Sequence, residues 1–128
     1  MPLTRRASDA TALPTVLLIE DDAAVRDAVQ FALEADGFAV KTWPSAESLL
    51  AAEIPSAAVC LIMDFYLGGM SGIEGVEELR RRGVALPVIM MTTIPPPILK
   101  AWVARTQTPL VEKPLLDDVL VAAIRQVL

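Results

Sequence analysis

The sequence has 128 residues, the size of one ordinary domain, and a net charge of −5. Hydrophobic residues make up 54% of it and charged residues 21%, which excludes a disordered chain and predicts a single sizeable core. The acidic balance argues against direct nucleic-acid binding by this domain, because nucleic acids attract basic surfaces.

No segment is typical of a membrane span or of an exported chain. The longest apolar runs, such as residues 57–63, fall far short of the roughly 20 residues that cross a bilayer, and residues 1–13 lack the apolar centre of a secretory signal. We therefore expect a cytoplasmic protein without a membrane segment. The single cysteine, Cys60, lies in an apolar run and predicts a buried, unreactive thiol. Because the chain has no histidine, a zinc site or a catalytic triad is nearly excluded.

The first half of the chain predicts two strand–helix pairs and a third strand. Residues 16–19 are wholly apolar, as in a parallel strand covered on both faces, and residues 38–43 and 59–63 predict the next two strands. Ser45 is the candidate N-cap of a helix that ends before Pro55. The first helix is predicted to stop at Gly37 and to bury one apolar face, made of Val25, Ala28, Val29, Ala32 and Leu33.

The second half continues the alternation. Ser71 and Glu74 have the spacing of a capping box and predict a helix that ends before Gly83. Residues 88–91 and Leu110–Glu112 are the predicted fourth and fifth strands. Asp117 is the candidate cap of a last helix, whose inner face comprises Leu120, Ala123, Ile124 and Val127.

Five strands, each followed by a helical segment, predict an α/β fold with a doubly wound five-stranded parallel sheet, flavodoxin-like in its (βα)5 order. We expect residues 1–14 to form a flexible N-terminal arm and residues 15–128 to form the folded domain. Ligands of such sheets bind beyond the carboxyl ends of the strands.

Polar residues collect at those predicted ends. They are Glu20, Asp21 and Asp22 after the first strand, Asp64 after the third, Thr92 and Thr93 after the fourth, and Lys113 after the fifth. Taken singly, each has an ordinary structural explanation as a helix cap, a turn residue or a surface charge. Taken together, three or four carboxylates beside one hydroxyl and one ammonium group predict a site for Mg²⁺ and a phosphate.

The chain resembles the response-regulator receiver family, the CheY-like family, over about residues 15–128. The resemblance rests on VLLIEDDAAVRDAV at the first strand, LIMDFYLGGMSG around Asp64, VIMMTT at the fourth strand and VEKP at the fifth. The segments also resemble the receivers of nitrogen-fixation regulators with a LuxR-type output domain.

The resemblance implies a two-component signalling switch rather than an enzyme of ordinary turnover. Asp64 would accept a phosphoryl group from a sensor histidine kinase or phosphotransfer protein, with Thr92 and Lys113 assisting. Mg²⁺ would be held by Asp21, Asp64 and the backbone carbonyl of Tyr66, and by Glu20 mostly through water. Phosphorylation would then change the surface of the fourth helix, fifth strand and fifth helix, through which many receivers form homodimers, and an output domain or protein would read it.

The sequence departs from the family pattern at the expected output surface. Pro95, Pro96 and Pro97 follow the fourth strand, so a helix cannot readily begin before Pro97, and we expect a short, displaced or disordered fourth helix. Leu110 replaces the usual aromatic switch residue of the fifth strand. Tyr66, two residues after the acceptor, has the bulk to shield a phosphoryl group from water.

Two other functions remain open at this point. A pseudo-receiver would keep the fold but respond to partner contacts instead of phosphate. A haloacid-dehalogenase-type phosphatase also uses a strand-end aspartate with Mg²⁺, but that class needs a second aspartate where this chain has Tyr66. The sequence is compatible with a stand-alone receiver and with the N-terminal part of a longer regulator.

Overall fold

A computed structural model describes residues 13–113 and 118–128. The arm predicted over residues 1–14 lies almost wholly outside the described residues, and so does Asp117, the predicted cap of the last helix. In the described part, the strands are β1 (Thr15–Ile19), β2 (Ala39–Trp43), β3 (Ala58–Asp64), β4 (Val88–Thr92) and β5 (Leu110–Glu112). The helices are α1 (Ala23–Ala35), α2 (Ala46–Leu50), α3 (Gly72–Arg81), α4 (Pro97–Thr106) and α5 (Val119–Val127).

The five strands form one parallel sheet in the order β2-β1-β3-β4-β5, which confirms the predicted α/β architecture. The chain moves outward from β1 to β2 and then returns to add β3 on the other side of β1. This reversal leaves a crevice at the carboxyl ends of β1 and β3, the usual ligand position in sheets of this kind. The fold therefore places β1 and β3 at the centre of any site.

Alternation along the strands divides the core into two layers. Val16 and Leu18 face α1 and α5, whereas Leu17 and Ile19 face α2, α3 and α4. Because both faces are covered, the central strands are almost continuously apolar, which explains why they were readable in the sequence. Cys60 is fully buried in the first layer, as predicted.

Most helix ends follow their sequence signals. Ser45 and Ser71 cap α2 and α3 in capping boxes, and the Asp22 carboxylate accepts the backbone N–H of Val25 at the start of α1. Gly37 and Gly83 follow α1 and α3 with φ of 98° and 85°, values that a glycine adopts without strain. These local signals fix where three helices lie between the strands.

The inner face predicted for α1 is too wide. Val29 and Leu33 are buried, but Ala28 and Ala32 are exposed and line a groove between α1 and α5. The reason is geometric, since only a narrow stripe of α1 reaches the sheet and the short alanines sit beyond its edge. In α5, Leu120, Ala123 and Ile124 are buried as predicted, and Val127 packs at the margin of the core.

Of the three alternatives expected for the fourth helix, short, displaced or disordered, the first and the last are wrong, and its predicted start no earlier than Pro97 is confirmed. Helix α4 begins at Pro97 and has ten residues, as many as α3. Pro97 occupies the first helical position, where a missing backbone N–H costs no hydrogen bond and the fixed φ suits a helix. Leu99 and Trp102 are buried and anchor α4 to the sheet.

In the described part of the chain, no helix has both the length and the apolar character required to span a membrane.

Candidate functional site

The topology brings the predicted strand-end residues to one place. Glu20 follows β1, Asp64 is the last residue of β3, Thr92 is the last residue of β4, and Lys113 follows β5. Glu20, Asp64 and Thr92 are buried. Because β1, β3, β4 and β5 are all parallel, their carboxyl ends lie along a single edge of the sheet.

Lys113 joins three strands through its side chain and backbone. Its ammonium nitrogen lies 2.7 Å from Oε1 of Glu20 and 3.1 Å from Oδ2 of Asp64. The backbone N–H of Lys113 donates to the carbonyl of Thr92 at 2.7 Å. The ammonium group is thus held directly between two buried carboxylates, and any group that reacts at Asp64 meets a fixed positive charge.

Three carboxylates form an oxygen-donor cluster. One side-chain oxygen from each of Glu20, Asp21 and Asp64 lies within 4.8 Å of the others. When ionised, these groups carry two more negative charges than Lys113 neutralises, and hard divalent cations favour oxygen donors of this kind. The donor set therefore fits Mg²⁺.

Of the three or four carboxylates predicted to converge, three do so. The Asp22 side chain caps α1 instead of joining the site, while its backbone N–H donates to Oε2 of Glu20 at 3.0 Å. Asp21 is the exposed member of the cluster, and Glu20 and Asp64 form its buried wall.

Burial and the charges within the site shift the pKa values of its residues. Burial raises the pKa of Asp64 to about 6, since the hydrogen bond from Lys113 offsets only part of the desolvation and the charge of Glu20 adds to it. Burial also acts to raise the pKa of Glu20, but hydrogen bonds from Lys113 and from the N–H of Asp22 hold it below its ordinary value. The pKa of Lys113 is raised because its two carboxylate partners outweigh its desolvation. The ammonium group is therefore protonated at neutral pH.

Thr92 and Tyr66, two further residues of the predicted site, differ in their exposure to solvent. The Thr92 hydroxyl is buried and has no hydrogen-bond partner among residues 13–113 and 118–128. A buried polar group without a partner lowers the stability of the fold. The Thr92 hydroxyl can therefore gain a hydrogen bond from a ligand bound beside the cluster. The Tyr66 side chain is 54% exposed, with its ring edge-on to Phe65 at 4.8 Å between centroids.

One supporting residue escaped the sequence analysis. Arg26 of α1 donates a guanidinium hydrogen bond to the backbone carbonyl of Glu20 at 2.9 Å. This contact ties the start of the acidic segment to the helix that follows it. Its only sequence signal is a basic residue on the second turn of a predicted helix, which many helices have for other reasons.

Comparison with known proteins agrees with this geometry. The family model described as "Response regulator receiver domain" matches residues 16–125. The transcriptional regulatory protein FixJ of Azorhizobium caulinodans is 36% identical over 111 residues, which cover 86% of this chain and 53% of that protein. The chain spans between a third and about half of the length of the curated relatives listed first, including 54% of the FixJ protein of Bradyrhizobium diazoefficiens.

Solved structures show the same fold. The crystal structure of FixJ-N superposes with a TM-score of 0.78 at 30% identity, covering 88% of this chain and 91% of that one. The Vibrio cholerae chemotaxis protein CheY4 gives a TM-score of 0.81 at 25% identity, covering 91% of this chain and 100% of that one. The chain belongs to the response-regulator receiver family of two-component systems, and the FixJ regulators are among its relatives.

Proposed function

We propose that this domain accepts a phosphoryl group on Asp64 and thereby switches a protein-interaction surface. One observation carries the proposal: the buried Asp64 carboxylate lies 3.1 Å from the Lys113 ammonium group, inside a three-carboxylate cluster. Family membership supports a receiver over a haloacid-dehalogenase-type phosphatase, whose second aspartate is absent at Tyr66.

Asp64 is suited to act as the nucleophile. With a pKa near 6, the Asp64 carboxylate is mostly ionised at neutral pH. Because it is poorly solvated, it is a better nucleophile than a fully hydrated carboxylate. A carboxylate oxygen of Asp64 forms a bond to phosphorus while the bond from phosphorus to the donor's histidine nitrogen breaks. The electron pair leaves with that nitrogen, and the product is an acyl phosphate. The donor is a sensor histidine kinase or a phosphotransfer protein.

Asp21, Asp64 and the backbone carbonyl of Tyr66 would hold Mg²⁺, with Glu20 contributing mostly through water. The ion, when bound, would neutralise negative charge on the transferring phosphoryl group. Lys113 supplies a second, permanent positive charge at Asp64. Glu20 orients Lys113 through the shorter of the two ion pairs.

Thr92 couples the site to the rest of the domain. Its buried hydroxyl, which has no hydrogen-bond partner among the described residues, is available to donate a hydrogen bond to a phosphoryl oxygen. An acyl phosphate adds roughly two negative charges, a local change large enough to draw Thr92 and the end of β4 inward. The surface of α4, β5 and α5 then changes and is read in the cytoplasm by an output domain or protein, or by a second copy of the chain.

The test is the intact mass of the protein after incubation with Mg²⁺ and acetyl phosphate. We expect a gain of about 80 Da, one phosphoryl group, that disappears when Mg²⁺ is chelated and in the Asp64→Asn variant. Asp27→Asn is the matched control, because Asp27 is an exposed residue of α1 outside the cluster.

A folded wild-type protein that gains no mass would overturn the proposal. That outcome would favour the pseudo-receiver, an interaction module that is independent of phosphate. A gain that persists in Asp64→Asn would place the acceptor elsewhere in the chain.

A further inference from the structure

The loop between β3 and α3 carries the residues that follow Asp64, yet two glycines give it little stiffness. Residues 65–71 include Gly68 and Gly69. Neither glycine has a positive φ, the backbone conformation that favours glycine. The ends of the loop are fixed: the N–H of Phe65 donates to the carbonyl of Met91 at 2.9 Å, and Ser71 belongs to the capping box of α3. The N–H of Gly72 also donates to the carbonyl of Phe65 at 3.0 Å and links the two ends.

Glu47 of α2 contacts the loop at Met70, just before its C-terminal end. Its carboxylate oxygen Oε2 accepts the backbone N–H of Met70 at 2.8 Å, across 23 residues of sequence. Helix α2 is itself a firm support, because Ala46 and Leu49 on either side of this position are fully buried. A carboxylate acceptor makes a stronger hydrogen bond to a backbone N–H than a neutral group does.

Gly69 fits this contact by lacking a side chain. A Cβ atom at position 69 would clash with the same Oε2 atom of Glu47, whereas a Cβ at Gly68 would meet nothing within 4 Å. The two adjacent glycines are therefore not equivalent: Gly69 leaves room for the carboxylate, and Gly68 does not touch it.

We propose that Glu47 is a positioning residue that holds the acceptor loop, and with it the Tyr66 carbonyl, in the conformation that binds Mg²⁺. This rests on the proposed function. Glu47 touches neither Asp64 nor the cluster of Glu20 and Asp21 through any hydrogen bond in the described residues. It acts by removing freedom from the loop, so that less order has to be imposed when the ion binds.

The first measurement needs no metal. In the metal-free protein, hydrogen–deuterium exchange at the Met70 amide is expected to be several-fold faster in Glu47→Ala than in wild type, because that amide loses its acceptor. Glu47→Gln keeps a carbonyl oxygen that can accept the same bond more weakly, so its exchange should lie between that of wild type and that of Glu47→Ala. Glu53→Ala is the matched control, an exposed glutamate just beyond α2.

The second measurement is Mg²⁺ affinity, followed by intrinsic fluorescence, together with the phosphorylation rate from acetyl phosphate at saturating Mg²⁺. For Glu47→Ala we expect Mg²⁺ binding to weaken about threefold, the effect of one solvent-exposed hydrogen bond, with less than a twofold change in the saturated rate. Gly69→Ala should weaken binding similarly, and combining it with Glu47→Ala should add little, because both remove one contact.

The outcomes separate this inference from the proposed function. If wild type neither binds Mg²⁺ nor gains phosphate, the proposed function fails, while Met70 exchange still reports on the loop. If wild type binds Mg²⁺ but Glu47→Ala matches it in affinity and in Met70 exchange, the positioning role is wrong. Equal weakening by Glu47→Gln and Glu47→Ala would also overturn it, since the effect would then come from charge and not from the hydrogen bond.

Discussion

Asp64 is a carboxylate whose ionisation in the folded protein costs stability. The carboxylate is buried, and its pKa of about 6 lies above the ordinary value of 3.8. The folded protein therefore holds a proton at Asp64 more tightly than the unfolded chain does. Ionisation of this group costs stability as the pH rises from about 4 to about 6, and the cost is full at pH 7.

Replacing Asp64 by Asn should therefore stabilise the metal-free protein. We expect the free energy of unfolding at pH 7 to rise by about 2 kcal/mol, and the gain to vanish near pH 4, where the native carboxyl is protonated. Urea unfolding of both proteins at the two pH values measures this. A gain of equal size at both pH values would contradict the ionisation assigned to Asp64.

Cys60 should behave as an inert core residue. Burial raises the pKa of its thiol to about 11, so little reactive thiolate exists at neutral pH, and the side chain is inaccessible in the folded protein. A disulfide reagent such as dithionitrobenzoate should label it slowly in native buffer and completely within seconds to minutes in concentrated urea. Rapid labelling of the native protein would show that the β3 strand opens locally.

At the scale of elements, the junction between β3 and α3 depends on the absence of a side chain at Gly72. A Cβ atom there would lie 2.6 Å from the backbone carbonyl oxygen of Asp64 and 3.0 Å from side-chain atoms of Met63 and Met90. Backbone cannot yield as a flexible side chain does. Position 72 therefore couples the start of α3 to the end of the strand that carries Asp64.

Gly72→Ala should lower the free energy of unfolding by about 2 kcal/mol through overpacking, and should also slow phosphorylation because Asp64 shifts. Gly68→Ala, where a Cβ meets nothing within 4 Å, is the control and should change stability by under about 0.5 kcal/mol. Chemical denaturation and the rate of mass gain test both effects. Equal stabilities for the two variants would refute the close approach.

Helix α4 shows how a local signal was correct while its consequence was misjudged. The three prolines do delay the helix to Pro97, as their missing donors require. They do not weaken it, because Leu99 and Trp102 bury themselves in the core and the indole N–H of Trp102 donates to Glu77 of α3 at 3.2 Å. Tertiary packing outweighs the missing side-chain cap at Pro96.

At the scale of the whole molecule, Lys113 links β5 to β1 and β3. Its partners Glu20 and Asp64 are 93 and 49 residues away in sequence. Lys113→Met would leave two buried carboxylates facing each other without a cation. We expect the free energy of unfolding at pH 7 to fall by about 3 kcal/mol without metal, since an uncompensated buried charge costs this much.

Added Mg²⁺ should restore part of that loss, because it would neutralise the same carboxylates. Thermal unfolding of Lys113→Met with and without Mg²⁺ measures the rescue. Lys41→Met, on an exposed position of β2, is the matched control. A variant as stable as wild type in the absence of metal would show that the ion pairs contribute nothing.

The sequence by itself determined the type and order of the elements, because burial on both faces makes parallel strands continuously apolar and because serine caps and glycine stops act over a few residues. It also indicated Glu20, Asp21, Asp64, Thr92 and Lys113 as one group, since carboxyl ends of parallel strands must share an edge. Only the tertiary structure decided that Asp22 caps α1, that Lys113 bonds Glu20 more closely than Asp64, and that Glu47 reaches Met70. These contacts join residues whose side-chain directions depend on how separate elements pack, and no local pattern encodes that packing.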